Sequence, residues 1–376
     1  MVKQTHVLVL PWPAQGHVMP MMQVSQKLVD NGVQVTFAIT ESLHKQLLAN
    51  LSSSLKEGVH NDPHRIRLVS RPEGLEYQNQ EKASDYLEEL VMKINEINGG
   101  NNGEEKVSCV IADAGVYWAY EPAKKMGLKI AMFCPTSLAV TAMTLHIPKL
   151  IEAGTPLKQE MIKISPALPE INIDDFLWIR TYDQGMDWVL CNSFDKLEPA
   201  ACDILPYIRT IGPLVGSSEV NQTMGEFWAE DSTCLTWLDS QPVDSYLLVV
   251  RSDMTDATVA YPDGFTEKGK IVNWFGIPFL CWPYFADQIH NTTYICDVWK
   301  TGLRLNKDGN GIVSRNEIKS RVEELIADEG IKTRVAELKK LSMDSASEGG
   351  SSSKNFSNFV EALKCQGKCG VTAAPK

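Results

Sequence analysis

The chain has 376 residues, with 36 Lys and Arg against 47 Asp and Glu, for a net charge of −11. That balance lacks the basic excess needed to neutralise nucleic-acid phosphates, so no nucleic-acid partner is expected. The length suits roughly two to three domains or two large ones, hydrophobic residues at 44% and charged residues at 22% are ordinary for a globular protein, and no apolar run approaches the roughly 18 residues of a membrane span.

At the N-terminus an apolar run extends only from Val7 to Leu10 before Pro11 and Pro13, too short for the core of a secretory signal. Nine cysteines, an odd number, lie mostly in apolar stretches without framework spacing, which predicts a reducing, cytoplasmic setting. In that setting the Asn-x-Ser/Thr matches at Asn50, Asn221, Asn291 and Asn355 are chance.

Short apolar runs then alternate with helical patterns. The predicted strands are His6 to Leu10, Gln34 to Ile39, Ile66 to Ser70, Val107 to Ala112 and Lys129 to Cys134. The helices that follow them start near His17, Glu41, Ala83, Val116 and Leu138. Near-continuous Val/Ile/Leu strands without polar alternation are those of a parallel sheet covered on both faces, so residues 1–211 read as an open, doubly wound α/β domain. A polar Gly/Pro/Ser stretch at 212–230 reads as a linker. Residues 231–343 read as a second α/β region, with strands at Ser245 to Arg251, Lys270 to Trp274, Ile277 to Trp282 and near Gly302. Its helices are predicted from Ala286, Ser314 and Ile331. Residues 344–376 comprise a flexible Ser/Gly segment, Asp344 to Lys354, then a helix with Phe356, Phe359, Val360 and Leu363 at helical spacing, and a tail. That helix is expected to dock on an apolar surface.

Open parallel sheets bind ligands beyond the carboxyl ends of their strands. The loop after the first strand reads Pro11-Trp12-Pro13-Ala14-Gln15-Gly16-His17: Gly16 permits a tight turn, and His17 at the sheet's mouth could serve as a general base. Asp113 closes the fourth strand, and a carboxylate beside an imidazole fixes its tautomer and stabilises its charged form. Spacing alone leaves open that His17 is a solvated helix-start residue and Asp113 an N-cap.

The segments HVLVLPWPAQGHVMPMMQVSQKL, CVIADAGVYWAYEPAKKMG, VLCNSFDKLEPA and IGPL, and above all GIPFLCWPYFADQIHNTTYICDVWKTGL, resemble the plant family 1 UDP-glycosyltransferases over almost the whole chain. The resemblance implies two Rossmann-like domains (the GT-B fold), the C-terminal one incomplete, with a small-molecule acceptor on the N-terminal domain and a UDP-sugar mainly on the other. It implies His17 as the base that deprotonates the acceptor hydroxyl and Asp113 as its partner. By the same resemblance Asp287 and Gln288 would hold the sugar hydroxyls, the glutamine pointing to glucose, and Trp274 would stack on uracil. The reaction would be a one-step inverting displacement with UDP-glucose as co-substrate, no cofactor, no metal and no partner protein. Trp12, Trp118 and Met143 suit a flat apolar acceptor, though such residues also serve as core.

Two stretches depart from the family pattern. Trp274 is followed by Phe275 and at once by Gly276-Ile277-Pro278, so the family's pyrophosphate-binding His and Asn-Ser and its ribose-binding Glu are missing. A second fusion is visible from Asp244 to Arg251. Lys270 to Trp274 and Ile277 to Trp282 are too close for two parallel strands, which need a crossover of about a dozen residues. Exposed apolar faces and a protease-sensitive C-terminal half are expected to follow. Three readings therefore stand: an active glucosyltransferase, an inactive relative that binds an apolar ligand, and a misassembled or spliced product.

Asn306 to Glu317, NKDGNGIVSRNE, comes near a calcium-loop pattern, but Asn306 opens it and a strand precedes it, so a turn capping the next helix is the stronger expectation. Cys365 and Cys369 lack further ligands for zinc.

Overall fold

In the computed structural model the described residues are 5–50, 66–75, 80–98, 106–152, 161–162, 164–166, 168–172, 185–214, 278–283 and 287–365. In chain order the first part contains β1 (His6–Leu10), α1 (Gln15–Asp30), β2 (Gln34–Thr40), α2 (Glu41–Asn50), β3 (Arg67–Arg71), α3 (Gln80–Asn98) and β4 (Val107–Asp113). After a 3-10 turn at Tyr117–Ala119 come α4 (Tyr120–Lys125), β5 (Lys129–Cys134), α5 (Leu138–Glu152), β6 (Met161–Ile162), β7 (Ile171–Asn172), β8 (Trp188–Cys191), α6 (Pro199–Ile204) and β9 (Ile208–Thr210). The second part contains β10 (Phe279–Cys281), α7 (Asp287–Thr293), a π-type turn at Tyr294–Val298, β11 (Gly302–Arg304), α8 (Arg315–Ala327), α9 (Glu329–Ala346) and α10 (Ser351–Lys364).

Seven strands form one parallel sheet in the order β3-β2-β1-β4-β5-β8-β9. The five predicted strands are there; β4 is the central strand of the seven, and β1 beside it is buried along its whole length. The order reverses between β1 and β4, which lie side by side with Leu10 opposite Ala112. Helices after these two strands leave to opposite faces, and the crevice between them is the usual ligand position of such sheets. The short strands β8 and β9 extend the sheet beyond the five predicted.

By their contacts the described residues group into two units: 5–214 with 287–291 and 341–365, and 278–283 with 292–340. This corrects the expectation of a flexible segment at Asp344 to Lys354. That stretch is the end of α9, a turn with Gly349 at φ 79, and the start of α10, with Ser345 and Ser352 buried. Gly350 is confined to glycine because a Cβ there would lie 2.3 Å from the carbonyl oxygens of Asp344 and Ser345.

The reason is the apolar face of α10. Phe356, Phe359, Val360 and Leu363 are buried in the same core as Val7 and Val9 of β1 and Met21, Met22 and Leu28 of α1. The Phe359 ring meets Trp188 edge-on at 5.3 Å. Polar groups fix the register: Asn355 Nδ2 donates to the Thr210 carbonyl at 2.9 Å, Lys364 Nζ donates to the Asn31 carbonyl at 2.5 Å, and the Lys27 ammonium lies 5.6 Å from the centre of the Phe356 ring. The expected apolar docking surface of the last helix is thus the first sheet and its helix α1.

In the second unit β10 and β11 pair in parallel, Phe279 opposite Gly302 and Cys281 opposite Arg304. The predicted strand at Lys270 to Trp274 and the fusion at Asp244 to Arg251 lie outside the described residues. In the calcium-like loop both key carboxylates are engaged within the protein. Asp308 Oδ1 accepts from the Asn310 and Ile312 N–H groups at 2.9 Å, and Glu317 Oε1 accepts from the Asn306 N–H and from Arg321 Nε. Ser314 caps α8 by accepting from the Glu317 N–H at 3.1 Å.

Candidate active site

The loop after β1 turns directly into α1, so His17 sits in that helix's first turn at the sheet's switch point. Gly16 is already helical, has no left-handed φ, and a Cβ there would meet nothing within 4 Å. The tight-turn role read for Gly16 is therefore not what the structure shows; Pro20, inside the same helix, cannot donate to the Gly16 carbonyl.

His17 and Asp113 come together. His17 Nδ1 lies 2.8 Å from Asp113 Oδ2, with the imidazole about one-third exposed and the carboxylate 1% exposed. The other carboxylate oxygen, Oδ1, accepts from the Gly115 N–H at 2.8 Å, and the Tyr120 hydroxyl donates to the Asp113 carbonyl at 2.9 Å. The acid is thus locked by its own turn. Because a carboxylate accepts, Nδ1 carries the proton and Nε2 keeps its lone pair. Burial opposes charge on His17, but the Asp113 charge and hydrogen bond, with a further contribution from the Asp287 charge, outweigh it and raise the imidazole above its ordinary value of 6.5.

The other expected residues fall in different places. Asp287 opens α7, its Oδ2 accepting from Asn291 Nδ2 at 2.9 Å, and its charge acts on His17; Gln288 beside it is exposed. Trp274 lies outside the described residues. Trp12 is half-buried over Gly115, where a Cβ would stand 2.9 Å from the indole, so glycine is required for the ring to approach. Trp118 and Met143 are each 2% exposed, the burial of core side chains.

Three supporting residues escaped the sequence reading. Gly115 is the first, and the Asp-Ala-Gly string was its only signal. Arg71 is fully buried at the end of β3, and its Nη2 donates to the Pro11 carbonyl at 3.2 Å, bracing the loop that leads to His17. Glu198 is 2% exposed; its two oxygens accept from the Leu138 and Ala139 N–H groups at 2.9 Å and from the Ser193 hydroxyl at 2.6 Å, capping α5. Burial pushes that carboxyl up against the pull of these donors.

A histidine paired with a buried aspartate at the switch point of a parallel α/β sheet stands at the usual ligand position of the doubly wound class, and comparison with known proteins narrows that class. The chain is 31% identical to UDP-glycosyltransferase 83A1 of Arabidopsis thaliana, covering 96% of this chain and 97% of that protein. It is 25% identical to Mogroside I-E synthase of Siraitia grosvenorii, covering 96% and 98%. Among solved structures it is similar to Os79 from O. sativa in complex with UDP, with a TM-score of 0.72 at 21% identity, covering 95% of this chain and all of that one. Phytolacca americana UGT2, complexed with UDP-2fluoro-glucose and pterostilbene, gives a TM-score of 0.70 at 20% identity, covering 96% and 99%. No family model matches the chain. The chain belongs to the plant UDP-glycosyltransferases, transferases of the GT-B fold. It is a shortened member: the alignment to the Arabidopsis protein runs over 452 positions against the 376 residues present here.

Proposed function

We propose that the protein transfers glucose from UDP-glucose to a hydroxyl of a small apolar acceptor, with inversion and with His17 as general base. The observation that carries this reading is the 2.8 Å contact between His17 Nδ1 and Asp113 Oδ2. It leaves Nε2 to take the acceptor proton as the oxygen attacks the anomeric carbon and UDP departs. The Asp113 charge stabilises the imidazolium that forms, and proximity of the three groups does the remaining work without a covalent intermediate. Asp287 and Gln288 are assigned to the sugar hydroxyls, Trp274 to the uracil and Trp12 to the acceptor side; Trp118 and Met143, buried in the core, are not. The scheme uses neither metal nor cofactor, and a cytoplasmic setting fits the cysteine content.

A second reading, weak or absent turnover, is favoured by one specific observation. From Trp274 the sequence passes through Phe275 alone to Gly276-Ile277-Pro278, without the His and Asn-Ser that the family resemblance assigns to the pyrophosphate. A departing diphosphate without helix N–H groups or charged donors is poorly stabilised. The test is incubation of the full chain with UDP-glucose and a panel of small phenols and aliphatic alcohols in the presence of EDTA. A β-glucoside that disappears with His17→Ala supports the first reading; an α-product, or activity that survives the substitution, defeats it.

A further inference from the structure

The loop that carries His17 and the turn that carries Asp113 touch at a second place. The Trp12 indole, half-buried, lies against Gly115: a Cβ on that glycine would stand 2.9 Å from Trp12 Cε3, 3.4 Å from Trp12 Cδ2 and 3.3 Å from Asp113 Oδ1. The backbone of Gly115 does not itself demand glycine, because its φ lies outside the left-handed region. What excludes a side chain there is the ring above it and the carboxylate beside it.

From Trp12 the chain reaches the histidine without slack. The Trp12 carbonyl accepts from the Ala14 N–H at 2.8 Å, and the Ala14 carbonyl accepts from the His17 N–H at 2.9 Å. Just before the indole, Arg71 Nη2 holds the Pro11 carbonyl. From Gly115 the path to the same imidazole runs through the acid. The Gly115 N–H donates to Asp113 Oδ1 at 2.8 Å, and Asp113 Oδ2 meets His17 Nδ1 at 2.8 Å. The Val116 N–H closes this turn by donating to the Asp113 carbonyl at 2.8 Å. Trp12, Ala14, His17, Asp113 and Gly115 therefore form a closed ring of contacts, in which the indole on Gly115 joins the two loops at a point other than the acid–imidazole bond.

We propose, deepening the reading of His17 as general base and resting on it, that Trp12 and Gly115 are positioning residues for the His17–Asp113 pair. The indole resting on Gly115 fixes where the loop presents the imidazole, and the Gly115 N–H fixes which carboxylate oxygen the imidazole meets. Neither residue touches the reacting atoms in this role. An alanine at position 115 must displace either the indole, and with it the loop, or the carboxylate. Either movement lengthens the 2.8 Å contact that keeps the proton on Nδ1.

The experiment reads the imidazole directly and needs no turnover. In the full chain with isotopically labelled histidine, NMR follows the ring nitrogens of His17, assigned with His17→Gln, through a pH titration. Wild type should titrate above 6.5, raised by the charges of Asp113 and Asp287 against burial, and should carry its proton on Nδ1 when neutral. Gly115→Ala should lower the midpoint by about half a pH unit or more and shift the neutral ring toward the Nε2–H tautomer. Trp12→Leu, which removes the ring atoms that the new Cβ would strike, should lower it less. The double variant, Gly115→Ala with Trp12→Leu, should titrate with Trp12→Leu alone and above Gly115→Ala, so that the two substitutions are not additive. Additive shifts, or a His17 midpoint and tautomer unmoved by Gly115→Ala, would overturn the assignment. If Gly115→Ala does not fold, as judged by its far-ultraviolet spectrum, a Trp12→Leu chain that titrates as wild type overturns it instead. Glucose transfer that survives His17→Ala would defeat the base role separately and leave the titration to decide the positioning.

Discussion

The two units use the same local grammar, a parallel strand running into a loop and a helix, and differ in how completely it is covered. β1 is buried at every position, whereas in β10 only Cys281 is buried and in β11 only Gly302. A parallel strand depends on helices over both faces, so the difference separates a fully covered layer from one whose described strands stay half-exposed. The chemistry divides in the same way. The first unit holds an acid–imidazole pair with every supporting hydrogen bond in place, and the sequence that should meet the diphosphate is the part cut short.

The largest expected effect tests the finished side. His17→Ala should lower any glucosyl transfer by about 10²- to 10⁴-fold, measured as product formed from UDP-glucose, while the far-ultraviolet spectrum of the protein stays unchanged. The next tests the shortened side. Charged hydrogen bonds contribute about 1.5 to 3 kcal/mol each, so the loss of two or three predicts UDP affinity lowered by several orders of magnitude relative to a relative of full length. Calorimetry giving micromolar UDP binding would break the comparison.

Stability offers a third, intermediate contrast. Phe359→Ala, which empties a site 2% exposed in the first core, should cost about 3 to 5 kcal/mol by urea unfolding. Leu280→Ala in half-buried β10 should cost less than half as much, and limited proteolysis should leave a resistant fragment of the first unit. Equal costs at the two sites, with one cooperative melt and full protease resistance, would mean that the second unit is as well covered as the first.

The smallest effect sharpens the description of the dyad. Since the His17 imidazole is raised above 6.5 and must be neutral to act as base, the rate should fall as pH drops through a value above 6.5. Asp287→Asn, which removes the weakest of the raising influences, should move that acid limb slightly down, and Asp113→Asn should move it further. The sign for stability is the opposite of that for rate: the ion pair helps fully below the unfolded value of the imidazole and is lost as pH rises through the folded one. A pH–rate profile unmoved by either substitution would detach the limb from His17.

How much of this was legible follows from where each signal resides. β1, β2, β4 and β5 are near-continuous apolar runs and β3 a shorter one, and their ends, and with them Asp113, were readable to within a residue or two. β8 and β9 have four and three residues, too short to carry a pattern. Pairing of His17 with Asp113 depends on β1 and β4 being neighbours at the reversal of strand order, which periodicity does not encode; the family resemblance supplied it. Arg71 and Glu198 act on partners about sixty positions away in the chain, so nothing local distinguishes them from solvated charges. For α10 the helical spacing was plain but its docking surface was not, and a Ser/Gly-rich approach read as loose chain hid a tight turn.

The docking of α10 has a consequence for the order in which the molecule is made. Phe356, Phe359, Val360 and Leu363 complete a core that includes Val7, so a strand synthesised early waits for a helix synthesised much later. While the ribosome is still translating, α1 and β1 present the surface that α10 will cover, and the intervening second unit emerges meanwhile. A nascent chain stalled before Ser351 therefore carries an open apolar face on its first domain, a natural substrate for ribosome-associated chaperones, and emergence of α10 is the event that closes it.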